Sequence, residues 1–222
     1  MTRVVLKLGG AVAASSLDAV HERDAAGDDV VVVHGAGPQI SVELRARGLP
    51  VRFVRGRRFT DAETLEVVRA SLVEVGAELA AALGTEAVQL VGDEIGLAAT
   101  PIEELGLVGR PVPSALVAVE ELLSLGCIPV VTPIALGPLN VNADEAATAI
   151  AASIDADRVV FVSDVPGVYL EGSVLREIDA DRATALLASG TFEGGIVPKL
   201  MAAVQAARAG LTAEIGETAV VA

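Results

Sequence analysis

Apolar residues recur along this chain at two alternating periods. Residues 4–7, 30–34, 87–91, 128–132 and 159–163 are short, β-branched-rich runs that stop at glycine, proline or a polar turn. Such runs read as strands buried on both faces. The stretches between them carry apolar residues at helical spacing, as Leu65, Val68, Leu72 and Val75 do within 61–83. Helices are predicted over 16–26, from the Gly35–Pro38 turn to about 47, over 61–83, from a Ser114 cap to about 125, after Asn142, over 179–189, and from Gly195 to about 210. Thr60 and Glu63 have capping-box spacing at the start of the third. Residues 51–59 alternate apolar and basic positions around Gly56 and read as a hairpin. Residues 97–113 read as short strands and turns, and two short strands close the chain. Strand and helix in alternation predict an α/β fold with a mainly parallel open sheet. Without a linker, repeat or low-complexity tract, residues 1–222 are expected to form one domain.

Composition narrows this picture. Hydrophobic residues are 52% of the 222 and aromatics only 2%, so the core must be built from Val, Leu, Ile and Ala. The formal charge is −14 and the pI about 4.5, which disfavours nucleic acid as a partner. The apolar runs are too short and broken for a membrane span, and 1–16 lacks the ordered regions of a signal peptide. The single cysteine, Cys127, has no internal partner. A cytoplasmic location is the expectation.

The candidate chemistry begins with the cations. Of 16 basic residues only Lys7 and Lys199 are lysines; the other fourteen are arginines. Lysine offers a compact point charge where arginine offers a planar fork, a difference that matters at a phosphoryl group. Lys7 runs into Gly9-Gly10, and Lys199 follows Gly194-Gly195 at a helix start. Gly35-Ala36-Gly37, Asn140–Asp144 and Ser163–Gly167 also follow strands, where open parallel sheets bind ligands and glycine loops present N–H groups to anions. There is no Gly-x-x-x-x-Gly-Lys-Ser/Thr loop, no Cys/His cluster for zinc and no serine elbow. His34, ending a buried run, reads as a hydrogen-bonded structural residue. Asp144 could serve as a helix N-terminal charge or orient the two lysines.

Taken together, Val5-Leu6-Lys7-Leu8-Gly9-Gly10, His34-Gly35-Ala36-Gly37, Arg58 before Phe59-Thr60, Asn140–Asp144, Ser163–Val168 and Gly194–Lys199 resemble the amino acid kinase family, over nearly the whole chain. Their order and spacing are most similar to the acetylglutamate kinases within it. The resemblance implies a three-layer αβα sandwich, with a substrate side over about 1–135 and a nucleotide side over about 136–222. It implies ATP-dependent phosphorylation of the side-chain carboxylate of N-acetyl-L-glutamate, giving an acyl phosphate for arginine biosynthesis. By position, Lys7, Gly9, Gly10 and Gly35 would bind the moving phosphoryl group, Lys199 would neutralise charge on the ADP side, and Asp144 would hold both lysines. Ala36, Gly37, Arg58 and Asn140 would touch the substrate. Asp164, Val165, Gly167, Val168 and Tyr169, with Gly195 and Ile196, would border the nucleotide. Magnesium would ride on ATP, with no dedicated metal site in the protein, and a homodimer through the 61–83 helix is implied.

Two features depart from the family pattern. Ala36 replaces a glycine; a positive φ there would cost on the order of 1–2 kcal/mol. The segment 213–221 runs almost directly from one strand to the next, where relatives usually insert a helix. Ala36 leaves as a rival a kinase of the same fold acting on another acylamino acid such as N-acetyl-aminoadipate, and the shortened tail a non-catalytic nucleotide sensor; separately, Gly35-x-Gly37 after a buried strand admits a dinucleotide-binding oxidoreductase.

Overall fold

A computed structural model describes residues 2–10, 14–163 and 165–222. Of the residues named above, Asp164 lies outside them.

The strands are β1 (Arg3–Leu8), β2 (Asp29–His34), β3 (Phe53–Val54), β4 (Arg57–Arg58), β5 (Ala87–Val91), β6 (Ala98–Pro101), β7 (Val108–Val112), β8 (Ile128–Thr132), β9 (Ile134–Ala135), β10 (Leu139–Val141), β11 (Arg158–Phe161), β12 (Tyr169–Leu170), β13 (Ser173–Val174), β14 (Glu177–Asp179), β15 (Thr212–Ile215) and β16 (Thr218–Val221). The helices are α1 (Ala14–Ala25), α2 (Gly37–Ala46), α3 (Ala62–Leu83), α4 (Val117–Ser124), α5 (Ala143–Ser153), α6 (Ala180–Ala188) and α7 (Ile196–Arg208). An eight-stranded sheet in the order β14-β16-β15-β11-β1-β2-β8-β5 forms the middle layer. Every neighbouring pair is parallel except β15–β16, which is an antiparallel hairpin with its turn at Gly216. That hairpin is the direct connection read from the sequence. A four-stranded sheet, β6-β7-β10-β9, lies beside the main one.

The two-residue period of the strands sorts the core into two layers. Val5, Val31, Val33, Val131, Val159 and Phe161 face α4, α5 and α7 in one cluster. Val4, Leu6, Leu8, Val30, Val32 and Val130 face α1 and the end of α3, through Val20, Leu79 and Leu83, in another. A third, smaller cluster joins α2 to the first half of α3 through Ile40, Leu44, Val68, Leu72 and Ile134. Because Lys7 has the parity of Val5, its side chain leaves β1 on the α5 side. This parity is what delivers the ammonium to α5.

Two predicted caps fall elsewhere. Asp61, not Thr60, caps α3: its Oδ1 accepts the Thr64 amide at 2.9 Å. Thr60 instead turns its hydroxyl to the Arg58 carbonyl, 2.9 Å away, in a wholly buried position. Ser114 does not cap α4, which starts after Leu116; its Oγ accepts the Ala98 amide and so joins the α4 approach to β6. By contrast Asp179 and Asn142 cap α6 and α5 through two backbone amides each.

Candidate active site

The carboxyl ends of β1, β2, β8 and β10 open on a cavity of about 240 Å³. Lys7, Gly10, Gly35, Ala36, Gly37, Arg58, Asn140 and Asp144 all line it. The sequence therefore brought together eight residues from four separate loops. Apolar wall is supplied by Ile40, Leu72, Val108 and Val141.

Lys7 is 7% exposed and Asp144 6%. Lys7 Nζ lies 2.9 Å from Asp144 Oδ1, off the line of an aligned hydrogen bond, so the two meet as an ion pair. Asn142 Oδ1 accepts the amides of Asp144 and Glu145, fixing the first turn of α5. The carboxylate of Asp144 sits at the positive end of that helix, which favours its charge. Removing either member would leave an uncompensated buried charge.

A side chain at Gly10 would be crowded. A Cβ there would come within 3.1 Å of Ala36 Cα, Gln39 Oε1 and Pro38 Cδ. Gln39 Nε2 also donates to the Gly10 carbonyl. At Gly35 a Cβ would make only ordinary contacts, at 3.8 Å to Gly10 N and 3.9 Å to Ala143 Cβ. Protein packing does not demand glycine at 35, and the space in front of it belongs to the cavity. Ala36 has φ −143°, a conformation open to any L-residue, and is 2% exposed among Ile40, Leu44 and Val68. The strain considered for its methyl group does not arise.

Arg58, from β4, is 7% exposed. Its Nη2 donates to Ser41 Oγ at 2.9 Å and to the Gly37 carbonyl at 3.2 Å, while its buried Nη1 has no partner among the described residues. Burial, then the charge of Arg45, push its pKa below the ordinary arginine value. The Phe53 ring lies 4.6 Å from its guanidinium carbon. Asn140 Nδ2 donates to Thr60 Oγ1 at 3.0 Å, so one buried threonine braces both Arg58 and Asn140. Sequence reasoning missed Thr60, Ser41, Gln39 and Phe53 as supports. None belongs to a glycine loop, and only the folded chain brings them to the cavity.

His34 is fully buried, with Nε2 3.2 Å from Thr132 Oγ1. Burial pushes its pKa down to about 4, helped by the nearby Lys7 charge and opposed by the Gly35 carbonyl. It is a neutral structural imidazole under the β1 and β2 loops, as its position in the sequence suggested.

The C-terminal residues are distributed differently. Lys199 is half-buried in the first turn of α7 and is not part of the lining of this cavity. α7 packs on α5, α6, β11, β15 and β16, and the hydroxyl of Thr148, one turn beyond Asp144 on α5, reaches the Ala202 carbonyl, one turn beyond Lys199 on α7. Both α5 and α7 precede strands parallel to β1, so both helices begin at the carboxyl end of the sheet. Val165 and Tyr169 are exposed, and Gly195 and Ile196 open α7. Val168 is a core residue: its side chain is 0% exposed, its amide donates to Thr218 Oγ1, and its carbonyl accepts the Leu175 amide. Gly167 is closed over by Thr218 and Val174. Neither has a side chain to offer a nucleotide. Among the described residues no group of three or more His, Cys, Asp or Glu is disposed to hold a metal ion, and no helix is long and apolar enough to cross a membrane.

Comparison with known proteins now decides the lineage. Residues 2–216 match the model of the amino acid kinase family. This chain belongs to the amino acid kinase family. It is 43% identical over 194 residues to the acetylglutamate kinase of Roseiflexus castenholzii, covering 82% of this chain and 75% of the relative. It is 38% identical over 224 residues to that of Rubrobacter xylanophilus, covering 97% and 88%. Among solved structures, smu.665 from Streptococcus mutans UA159 superposes with a TM-score of 0.88 at 27% identity, covering 99% of this chain and 98% of that one. The N-acetylglutamate synthase of Neisseria gonorrhoeae, in complex with coenzyme A and N-acetyl-glutamate, shares the fold at 21% identity, with a TM-score of 0.83 over 100% of this chain and 59% of its own. For this amino acid kinase the αβα architecture and the Lys7 and Gly10 loops of the cavity thus sit in a family of phosphotransferases.

Proposed function

We propose that this amino acid kinase transfers the γ-phosphoryl group of ATP to the side-chain carboxylate of N-acetyl-L-glutamate. The acetylglutamate kinases that resemble it over most of its length support the substrate. The observation that carries the reading is the pairing, in one cavity, of a buried Lys7–Asp144 ion pair with a buried Arg58 whose Nη1 has no protein partner. The cavity is thus lined by two buried cations from different elements, suited to a dicarboxylate whose one end is held while the other reacts.

In the reaction a carboxylate oxygen attacks the γ-phosphorus in line, and the bond from that phosphorus to the β–γ bridging oxygen breaks. Acyl phosphate and ADP result. Little covalent help is needed from the protein; positioning and positive charge on the equatorial oxygens carry the catalysis. Lys7 meets that charge, with the amides of Gly9 and Gly10 as neutral donors; the Gly35 amide, expected to join them, is instead given to the Leu8 carbonyl at 3.2 Å. Arg58 takes the other carboxylate, and its free Nη1 permits a forked pair. Asn140 and the segment Ala36–Gly37 border the acyl amino acid. Lys199 neutralises charge developing on the ADP side, and Val165, Tyr169, Gly195 and Ile196 border the nucleotide. Magnesium would come with ATP rather than from a protein cage, as hard-cation chemistry favours with few protein ligands.

The test is acyl phosphate trapped as hydroxamate, with ATP, magnesium and a panel of N-acetylglutamate, N-acetylaspartate, N-acetyl-aminoadipate, aspartate and carbamate. N-acetylglutamate is expected to give the highest kcat/KM. A higher value with another acceptor reassigns the substrate, and no hydroxamate from any of them removes the activity.

A further inference from the structure

Arg57 and Arg58 are consecutive residues of β4, and their guanidinium groups go to different partners. Arg58 turns to α2, through Ser41 and the Gly37 carbonyl. Arg57 crosses the cavity rim to α5, where its Nη2 donates to Glu145 Oε1. Glu145 is the neighbour of Asp144, the partner of Lys7. Both members are shielded, with side chains 22% and 16% exposed. Arg57 Nε and Glu145 Oε2 are buried with no partner among the described residues. Burial raises the Glu145 pKa above the ordinary carboxylate value, Asp144 adds to the rise, and Arg57 and Arg110 oppose it.

The hairpin's own ladder is small. Each of its strands is two residues long, and its turn places Arg55 at φ 49° and Gly56 at φ 79°. A two-stranded ribbon of that size has no stability of its own, so its position is set by contacts to other elements. The Arg57–Glu145 pair is its charged tie to the phosphoryl-side helix.

We infer that Glu145 is a positioning residue: through Arg57 it holds the β3–β4 hairpin against the first turn of α5, and so sets the distance between Arg58 and Lys7 at which the two carboxylates of the acceptor are gripped. The kinetic part rests on the phosphoryl-transfer reading; the hairpin order does not. Loosening the tie acts on acceptor binding and leaves the nucleotide half alone.

The experiment is amide hydrogen exchange of residues 53–60 together with steady-state kinetics, on the wild type, Glu145→Gln, Glu145→Ala, Arg57→Ala and the double Arg57→Ala/Glu145→Ala. In both single alanine variants, hairpin exchange is expected to quicken by ~10-fold, with the β1 and β8 amides unchanged. KM for N-acetylglutamate is expected to rise by ~10-fold, with KM for ATP within about twofold and kcat reduced by less than about threefold. The double variant is expected to be no worse than the worse single one, since both remove one interaction. Glu145→Gln, which keeps an acceptor of the same shape without the charge, should fall between wild type and Glu145→Ala, and it serves if an alanine variant fails to fold. Unchanged hairpin exchange, or additive effects in the double variant, overturns the inference whether or not acyl phosphate is formed. If the wild type makes none, the substrate reading fails alone and the exchange result still decides the tie.

Discussion

At the scale of single residues, the site depends on charges held where water does not reach. Lys7 cannot be replaced by a guanidinium without losing its point contact with Asp144 and the phosphoryl oxygens. Lys7→Arg is expected to lower kcat by ~10²-fold, a loss of about 3 kcal/mol, in the hydroxamate assay. Arg58→Ala is expected to raise KM for the acyl amino acid and leave KM for ATP within about twofold. His34 predicts a pH effect on stability. Its folded pKa of about 4 lies below the ordinary histidine value of 6.5, so the unfolded chain takes up the proton first. Stability is therefore complete above pH 6.5 and falls as pH drops toward 4, by on the order of 3 kcal/mol. The groups facing it are Lys7, Thr132 and the Gly35 carbonyl, with Gln89 beyond the threonine. His34→Gln should flatten that part of the curve in urea titrations at stepped pH, and an unchanged slope would assign the loss to other groups. Lys7 and Asp144 were legible because each has an unusual local setting, a lone lysine before two glycines and a carboxylate at a helix start; Arg58 was legible only through the family resemblance, since its hairpin holds four arginines. Thr60 and Ser41 were not, since nothing local separates a bracing hydroxyl from a solvated one.

At the scale of elements, caps and short ribbons decide where the reactive groups point. Asn142 closes α5 with two amide bonds and so fixes Asp144 in space. Asn142→Ala is expected to cost ~1 kcal/mol of stability by chemical denaturation, with a further loss in kcat as Asp144 loosens. The long parallel strands were readable to within a residue or two because fully apolar β-branched runs have few alternatives. The β12–β13 ribbon and β14 were not, since two- and three-residue pieces carry no period. The Thr60 cap was displaced by one residue because Asp61 is the better acceptor and Thr60 is drawn inward by Arg58 and Asn140. The Arg57–Glu145 tie spans 88 residues of chain, and no spacing rule could have announced it.

At the scale of the molecule, a chain of formal charge −14 gathers its buried cations around one cavity. Binding a dianion there should stabilise the whole fold by linkage. N-acetylglutamate at about 100 times its Kd is worth ~2.7 kcal/mol, which for a chain of this length raises Tm by roughly 5–10 °C. Differential scanning calorimetry with and without the ligand checks this, and Arg58→Ala should abolish the shift for N-acetylglutamate while keeping that for ATP. Fold class was legible from strand–helix alternation alone. The separation between Lys199 on α7 and the Lys7 cavity was not, because sequence order places both at the same edge of the sheet without giving the spacing along it.

The parity of β1 has a consequence for how the chain can change. Odd-numbered side chains of that strand look toward α5 and even-numbered ones toward α1 and α3. Losing or gaining one residue ahead of Gly9 would turn the ammonium to the opposite layer, away from Asp144, while leaving composition and strand length almost untouched. Insertions and deletions in the first strand are therefore tolerated in twos or not at all, and a frame slip there would yield a folded protein with its chemistry facing the wrong wall.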